Sequence, residues 1–175
     1  MSIKQYSLQE VKKELQQLNG KQAAELCLRM ARFKKENKEL LAYLLFDAGD
    51  ELAFAESFKQ DIGFMVSQVP SMSYNAAKVL RKVLKQVNKY IKFTASKQVE
   101  VELLLSFCRN YVEYVDRKTS YKPLRLILVK QLEKIKKAIN KLHEDLQFDY
   151  NQEFDTLVDD AVKRLPWLYK HDLML

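Results

Sequence analysis

The chain has 175 residues, enough for one domain that buries roughly 70% of its unfolded surface without disulfide or metal support. Three Gly and three Pro are too few for the many tight turns of a sheet protein, so the composition points to long helices. Thirty Lys and Arg against 23 Asp and Glu leave a net charge of +7, which suits an acidic partner but is also ordinary for a soluble protein.

Ser7-Leu-Gln-Glu10 has the spacing of a capping box, with a hydroxyl for one orphan amide and a carboxylate three residues on. A first helix is expected from there to Leu18, stopped by Asn19-Gly20, since both residues tolerate positive φ. A second follows over about 21–35, with Ala23, Ala24, Cys27, Leu28 and Ala31 on its apolar line. The third, 38–48, contains LLAYLLF, which is apolar all round and predicts burial on most sides. Gly49-Asp50 then stops and restarts the chain. The fourth helix, about 51–68, spaces Ala55, Phe58, Ile62, Met65 and Val69 helically. Gly63 inside it costs ~1 kcal/mol relative to Ala, which implies either a close neighbour or a kink.

Pro70 ends that helix, and Ser71-Met-Ser73 is expected to cap the fifth, 73–94. At about 100° per residue, Lys78, Lys82, Lys85, Lys89 and Lys92 share one stripe with Arg81 at its edge. Ala76, Leu80, Val83, Val87 and Ile91 lie opposite. Thr94-Ala-Ser96 is a tight turn, so helices five and six should be antiparallel. The sixth, 97–117, opens with the apolar run VELLLSF. Pro123 sits in the first turn of a seventh helix, expected to run to about Gln147. Asn151 is then read as the cap of an eighth, 152–165, stopped by Pro166. The apolar end Leu173-Met-Leu175 should be docked, with Trp167 as its anchor.

Helix seven echoes helix five at a shift of 52. Lys130, Lys134, Lys137 and Lys141 align with Lys78, Lys82, Lys85 and Lys89, Leu132, Ile135 and Ile139 with Leu80, Val83 and Val87, and Asn140 with Asn88. If four-five and six-seven are copies of one hairpin, each copy puts its second helix on the same side. The spacing exceeds the ~40–47 residues of HEAT-type repeats, and helices four and six do not match at this shift. The expected fold is therefore all-α: about eight helices over residues 1–175 as one domain, stacked as antiparallel hairpins in a HEAT-like α-superhelical array or an irregular helical bundle.

The strongest candidate surface is basic: Lys78, Arg81, Lys82, Lys85, Lys89, Lys92, Lys130, Lys134, Lys137 and Lys141. Lys78 to Lys92 covers about 21 Å, long enough to follow several phosphates or an acidic protein face. A lysine stripe opposite an apolar stripe is equally the pattern of a plain solvated helix. Against the basic reading stands the acidic end, Glu144, Asp145, Asp149, Glu153, Asp155, Asp159 and Asp160, which would mask the stripes by pairing within the chain or with a second copy. Tyr111, Tyr114 and Tyr121 are candidates to line a groove, with core packing the commoner role.

Catalytic and metal readings have little to stand on. His143 and His171 follow Asn140 and Leu168 at three residues, so no Glu-x-x-His pair exists for a di-metal bundle. Asp155 and Asp159 share a face, as any solvated helix allows. Cys27 or Cys108 with His143 would make a thiolate–imidazole couple, but both cysteines sit in apolar runs where thiols are inert. No cofactor motif is present. Unpaired cysteine spacing, the lack of a signal-like start in MSIKQYSLQE and apolar runs far below ~20 residues lead to the expectation of a soluble, cytoplasmic protein with no membrane partner. The sequence thus predicts a non-enzymatic binding or scaffold protein recognising a partner protein through a helix-lined groove. The alternative is a nucleic-acid binder that grips phosphates with the lysine stripes, and the third reading is an enzyme with an unrecognised site.

Overall fold

A computed structural model describes residues 5–173. Among them, all regular structure is helical. The chain divides into two compact units between Asp47 and Ala48.

The first unit contains α1 (Leu8–Gln17), α2 (Gly20–Phe33) and α3 (Lys35–Ala42), followed by one wide π-helical turn over Tyr43–Asp47. The Ser7 capping box forms as the spacing predicts: Ser7 Oγ accepts from the Glu10 amide, and the Glu10 carboxylate takes the Ser7 N–H at 2.7 Å. Asn19-Gly20 acts differently from expectation. Asn19 is extended and caps the start of α2, accepting from the Gln22 amide at 2.9 Å while its own N–H goes to Gln22 Oε1. Gly20 has no positive φ and is simply the first helical residue. A side-chain cap thus does the work assigned to a left-handed stop. The expectation that LLAYLLF is buried on most sides fails as well. Tyr43 is buried, whereas Leu44, Leu45 and Phe46 are exposed, Phe46 by 82%. The π turn changes the pitch after Tyr43, so these side chains leave the line that Leu40 and Tyr43 follow.

The second unit holds α4 (Glu51–Ser67), α5 (Ser73–Thr94), α6 (Lys97–Tyr114), α7 (Lys122–Ile139) and α8 (Glu144–Arg164). α4, α6 and α8 form one layer, and α5 and α7 form the second, each helix packing on its chain neighbours and on the next member of its own layer. That is the arrangement of stacked antiparallel hairpins. α6 lies at the centre, against α4, α5, α7 and α8, which is why its apolar run is buried nearly all round. The turn between α5 and α6 is as tight as expected: Ala95 takes a left-handed φ of 52°, and Ser96 caps α6 through the Val99 amide.

One expected cap does not form, and the α7/α8 boundary moves. α5 starts at Ser73 as expected, but its N-cap position is Met72, so no side chain caps it, and the Ser73 hydroxyl bonds to Thr119 Oγ1 at 2.8 Å. α7 ends at Ile139 rather than near Gln147, and Asn151 lies inside α8 instead of capping it. The chain turns at Asn140–Leu142, and Glu144 and Asp145 then open α8, where carboxylates favour the positive helix end. Ile139, Leu142 and Leu146 keep helical spacing across this break, which hides it in the sequence. Gly63 marks a close neighbour and not a kink. A Cβ there would lie 3.4 Å from Asn110 Oδ1 on α6. After α8, Leu165, Leu168 and Leu173 are buried, so the tail is docked as far as Leu173; Met174 and Leu175 lie outside the described residues. Arg125 stacks over the Trp167 ring at 5.2 Å.

Candidate functional site

The apolar sides of α5 and α7 both turn inward onto α6, through Leu80, Val83 and Val87 on one helix and Leu128, Leu132 and Ile135 on the other. Residues on the opposite sides of these two neighbouring helices therefore share the outer face of one layer. The helices are parallel. Tyr74 packs on Tyr121 at one end, and Asn88 meets Lys134 further along both. Lys134 is the link between the stripes. Its ammonium donates to Asn88 Oδ1 at 2.8 Å and lies 3.3 Å from Glu100 Oε1 of α6. Asn88 sits between Lys85 and Lys92 on its own helix, and Lys134 between Lys130 and Lys137. The cation rows thus run along the two sides of one seam.

Not every candidate serves that face. Lys89 is half-buried and lies 4.6 Å over the Tyr90 ring. Lys134 is engaged in the seam. Lys141 lies beyond the end of α7, in the turn to α8. Lys78, Arg81, Lys82, Lys85, Lys92, Lys130, Lys137 and Lys141 are exposed and make no ion pair with a described residue. The echo between the helices is one of composition and not of register: Asn88 lies level with Lys134, 46 residues on, while its sequence counterpart Asn140 ends α7.

Glu100 is a carboxylate of the seam, only 6% exposed at the start of α6. Burial works against its charge, but hydrogen bonds from Lys97 at 2.6 Å and from Lys134 outweigh burial and hold its pKa below the usual carboxylate value. Around it, Asn88, Lys92, Ser96, Lys97 and Lys134 line an open cleft of about 360 Å³.

The opposite face of the unit, made by α4, α6 and α8, has a different character. There Lys59 pairs with Glu102 at 2.5 Å, Arg109 with Glu153 at 2.8 Å, and Arg164 with Glu113. Tyr150 donates to Glu102 at 2.5 Å. Charges of both signs alternate there and neutralise one another. The acidic residues of α8 belong to that side or to the tail: Glu153 takes Arg109, Asp159 takes Lys170, and Asp160 lies 3.9 Å from Lys163. They do not reach the α5 and α7 lysines, so the masking within the chain that the acidic end suggested is not formed among the described residues.

Of the tyrosines, Tyr111 is a core residue whose hydroxyl donates to the Leu124 carbonyl at 3.0 Å, and Tyr114 is exposed. Tyr121 borders the basic seam together with Tyr74, which the sequence reading passed over. Its signal was available: Tyr74 precedes Lys78 by four residues and so heads the same stripe. Cys108 is sealed in the core, and burial pushes its thiol pKa far up, away from any nucleophilic role. His143 is exposed beside Asp145. Cys27, expected among aliphatics, is exposed on α2. Among the described residues no group of three or more His, Cys, Asp or Glu is placed to hold a metal, and no helix is long and apolar enough to cross a membrane. The chain matches no protein-family model, no curated protein and no solved structure.

Proposed function

We propose that this is a non-enzymatic binding protein whose α5/α7 face grips the phosphate backbone of a nucleic acid without reading its sequence. The observation that carries the proposal is the contrast between the two faces of one helical stack. Cations on the α4/α6/α8 face have carboxylate partners, whereas on the α5/α7 face Lys78, Arg81, Lys82, Lys85, Lys92, Lys130 and Lys137 make no ion pair with a described residue. α5 carries six Lys and Arg and no acidic residue at all. Solubility alone is served equally well by interspersed signs, so two neighbouring rows of one sign favour a polyanion over a plain solvated face. An array of unpaired ammonium groups along a seam matches a polyanion. The predominance of Lys argues for point-charge contact with phosphates, since base reading relies largely on bidentate side chains. A cytoplasmic setting belongs to this reading, supported by two free cysteines.

Fluorescence anisotropy with a labelled oligonucleotide at low salt tests it. The intact protein should bind, Lys85→Gln and Lys137→Gln should each weaken binding, and Lys163→Gln on α8 should not. No binding at low salt would remove the proposal.

The partner-protein reading retains one observation in its favour, in the first unit. Leu8, Val11 and Leu15 on α1, and Leu28, Met30 and Phe33 on α2, are exposed, Leu8 by 88%. The three α1 residues share one face at i, i+3 and i+7, and an apolar row of this kind suits helix-in-groove recognition. If they serve a partner, Leu15→Glu should abolish a stoichiometric complex recovered from native lysate and leave oligonucleotide binding intact.

A further inference from the structure

We infer that the basic face prefers single-stranded nucleic acid, with a base stacked on Tyr74 where the lysine rows begin; this rests on the phosphate-gripping reading above. Tyr74 is 62% exposed in the first turn of α5 and heads the row that continues through Lys78, Arg81, Lys85 and Lys92. From Tyr74 to Lys92 this row extends about 27 Å.

The ring is held in place without being covered. It meets Tyr121 edge to face, with 6.4 Å between centroids and 62° between planes. Tyr121 is fixed in turn by the loop before α7, where its N–H donates to Thr119 Oγ1 at 3.2 Å. Thr119 is buried, bonded to Ser73, and its carbonyl accepts from Arg125 Nε at 2.7 Å. Two aromatic residues, one in the first turn of α5 and one capping the start of α7, are therefore pinned at one end of a cation-lined seam. The exposed cations Arg117, Lys118 and Lys122 lie in the adjoining chain. α5 and α7 are parallel and both begin here, so their helix dipoles add to the positive potential at this end.

An exposed aromatic ring alone is common. A ring continuous with a row of unpaired ammonium groups is the combination that single-stranded nucleic acid uses, with the backbone tracking the cations and a base lying on the ring. A duplex offers phosphates but keeps its bases stacked inside, out of reach of Tyr74. Both forms should therefore bind, and only the single strand should sense the ring.

The test is anisotropy with single-stranded and duplex oligonucleotides of equal length, using the full chain. Wild type should favour the single strand. Tyr74→Ala should lower single-strand affinity about ten-fold and leave duplex affinity unchanged, while Tyr74→Phe keeps both. A thermal melt of each variant checks that the exposed substitution leaves the fold intact. If Tyr74→Ala leaves single-strand affinity intact while Lys85→Gln weakens both forms, the stacking inference falls and the phosphate grip stands. Equal loss for both forms in Tyr74→Ala also overturns it. If wild type binds neither form, both readings fall together.

Discussion

The two lysine rows act as one wall only if each contributes to the same bound strand, and salt dependence measures this directly. Helices packed in one layer lie about 8–10 Å apart, so a strand along the α5/α7 seam is within reach of both rows. Eight exposed cations border the seam or its ends: Lys78, Arg81, Lys82, Lys85 and Lys92 on α5, and Lys130, Lys137 and Lys141 on or just after α7. Taking about five engaged phosphates, a single strand should give a slope of log K against log salt near −3.5, and a duplex near −4.5. Raising salt from about 50 to about 200 mM then weakens single-strand binding by about 130-fold. Lys85→Gln and Lys137→Gln should each make the slope shallower by about 0.7 on a single strand, and the double variant by about 1.4. Anisotropy titrations across a salt series, with Lys163→Gln as control, supply the slopes. A double variant no shallower than one of its single variants would show that the strand follows one helix, and a wild-type slope near zero would refute the electrostatic grip altogether.

Glu100→Gln should lower stability by about 1–2 kcal/mol, since charged hydrogen bonds to Lys97 and Lys134 are lost while both lysines can turn to water. The same change frees Lys134 for the seam, so affinity for oligonucleotides should rise as stability falls; urea melts and anisotropy on one preparation read both. Because the folded-state pKa of Glu100 lies below 4.5, its stabilisation is complete above that pH and fades as pH falls through the folded value. Wild type should therefore lose stability more steeply than Glu100→Gln as the pH falls below 4.5, measured by thermal melts. Gly63→Ala should stabilise by up to ~1 kcal/mol, since a methyl just fits at 3.4 Å from Asn110 Oδ1; a lower urea midpoint would show that α4 and α6 pack more tightly than this. Leu128→Ala, which empties a fully buried site on the inner side of α7, should cost about 2–5 kcal/mol in the same assay.

Much of the helical order was legible because period and punctuation agree. The inward row of α5, from Ala76 to Val87, is buried as its spacing requires. The capping box at Ser7 and the turn at Ala95 form where their residues stand. The misread places have different causes. At Asn140 the helix ends in a residue of ordinary helical φ, with no Gly or Pro beside it to mark the break, whereas at Asn19 the marker Gly20 is present but the Asn side chain caps the next helix instead of a left-handed residue closing the last one. The apolar run at Leu44–Phe46 misled because hydrophobicity says that a segment favours burial, not that a neighbour is present to cover it.

The candidate site was half legible. Its cations could be named one by one, since the side of a helix a residue occupies follows from its number alone. Tyr74 went unnoticed because its value depends on Tyr121, 47 residues away in the chain.

The order of residues alone dictates that the chain is helical, where most of the helices lie, and which side of each repels or seeks water. All of that is local, set by backbone period and by the cost of burying charge. Packing between distant segments makes α5 and α7 neighbours in one layer, lets Lys134 bridge them, and sets the acidic helix where its carboxylates meet other cations. Those outcomes depend on which inward faces fit together around α6. Fit between surfaces distant in the chain is a property of shape, and no single helix encodes it.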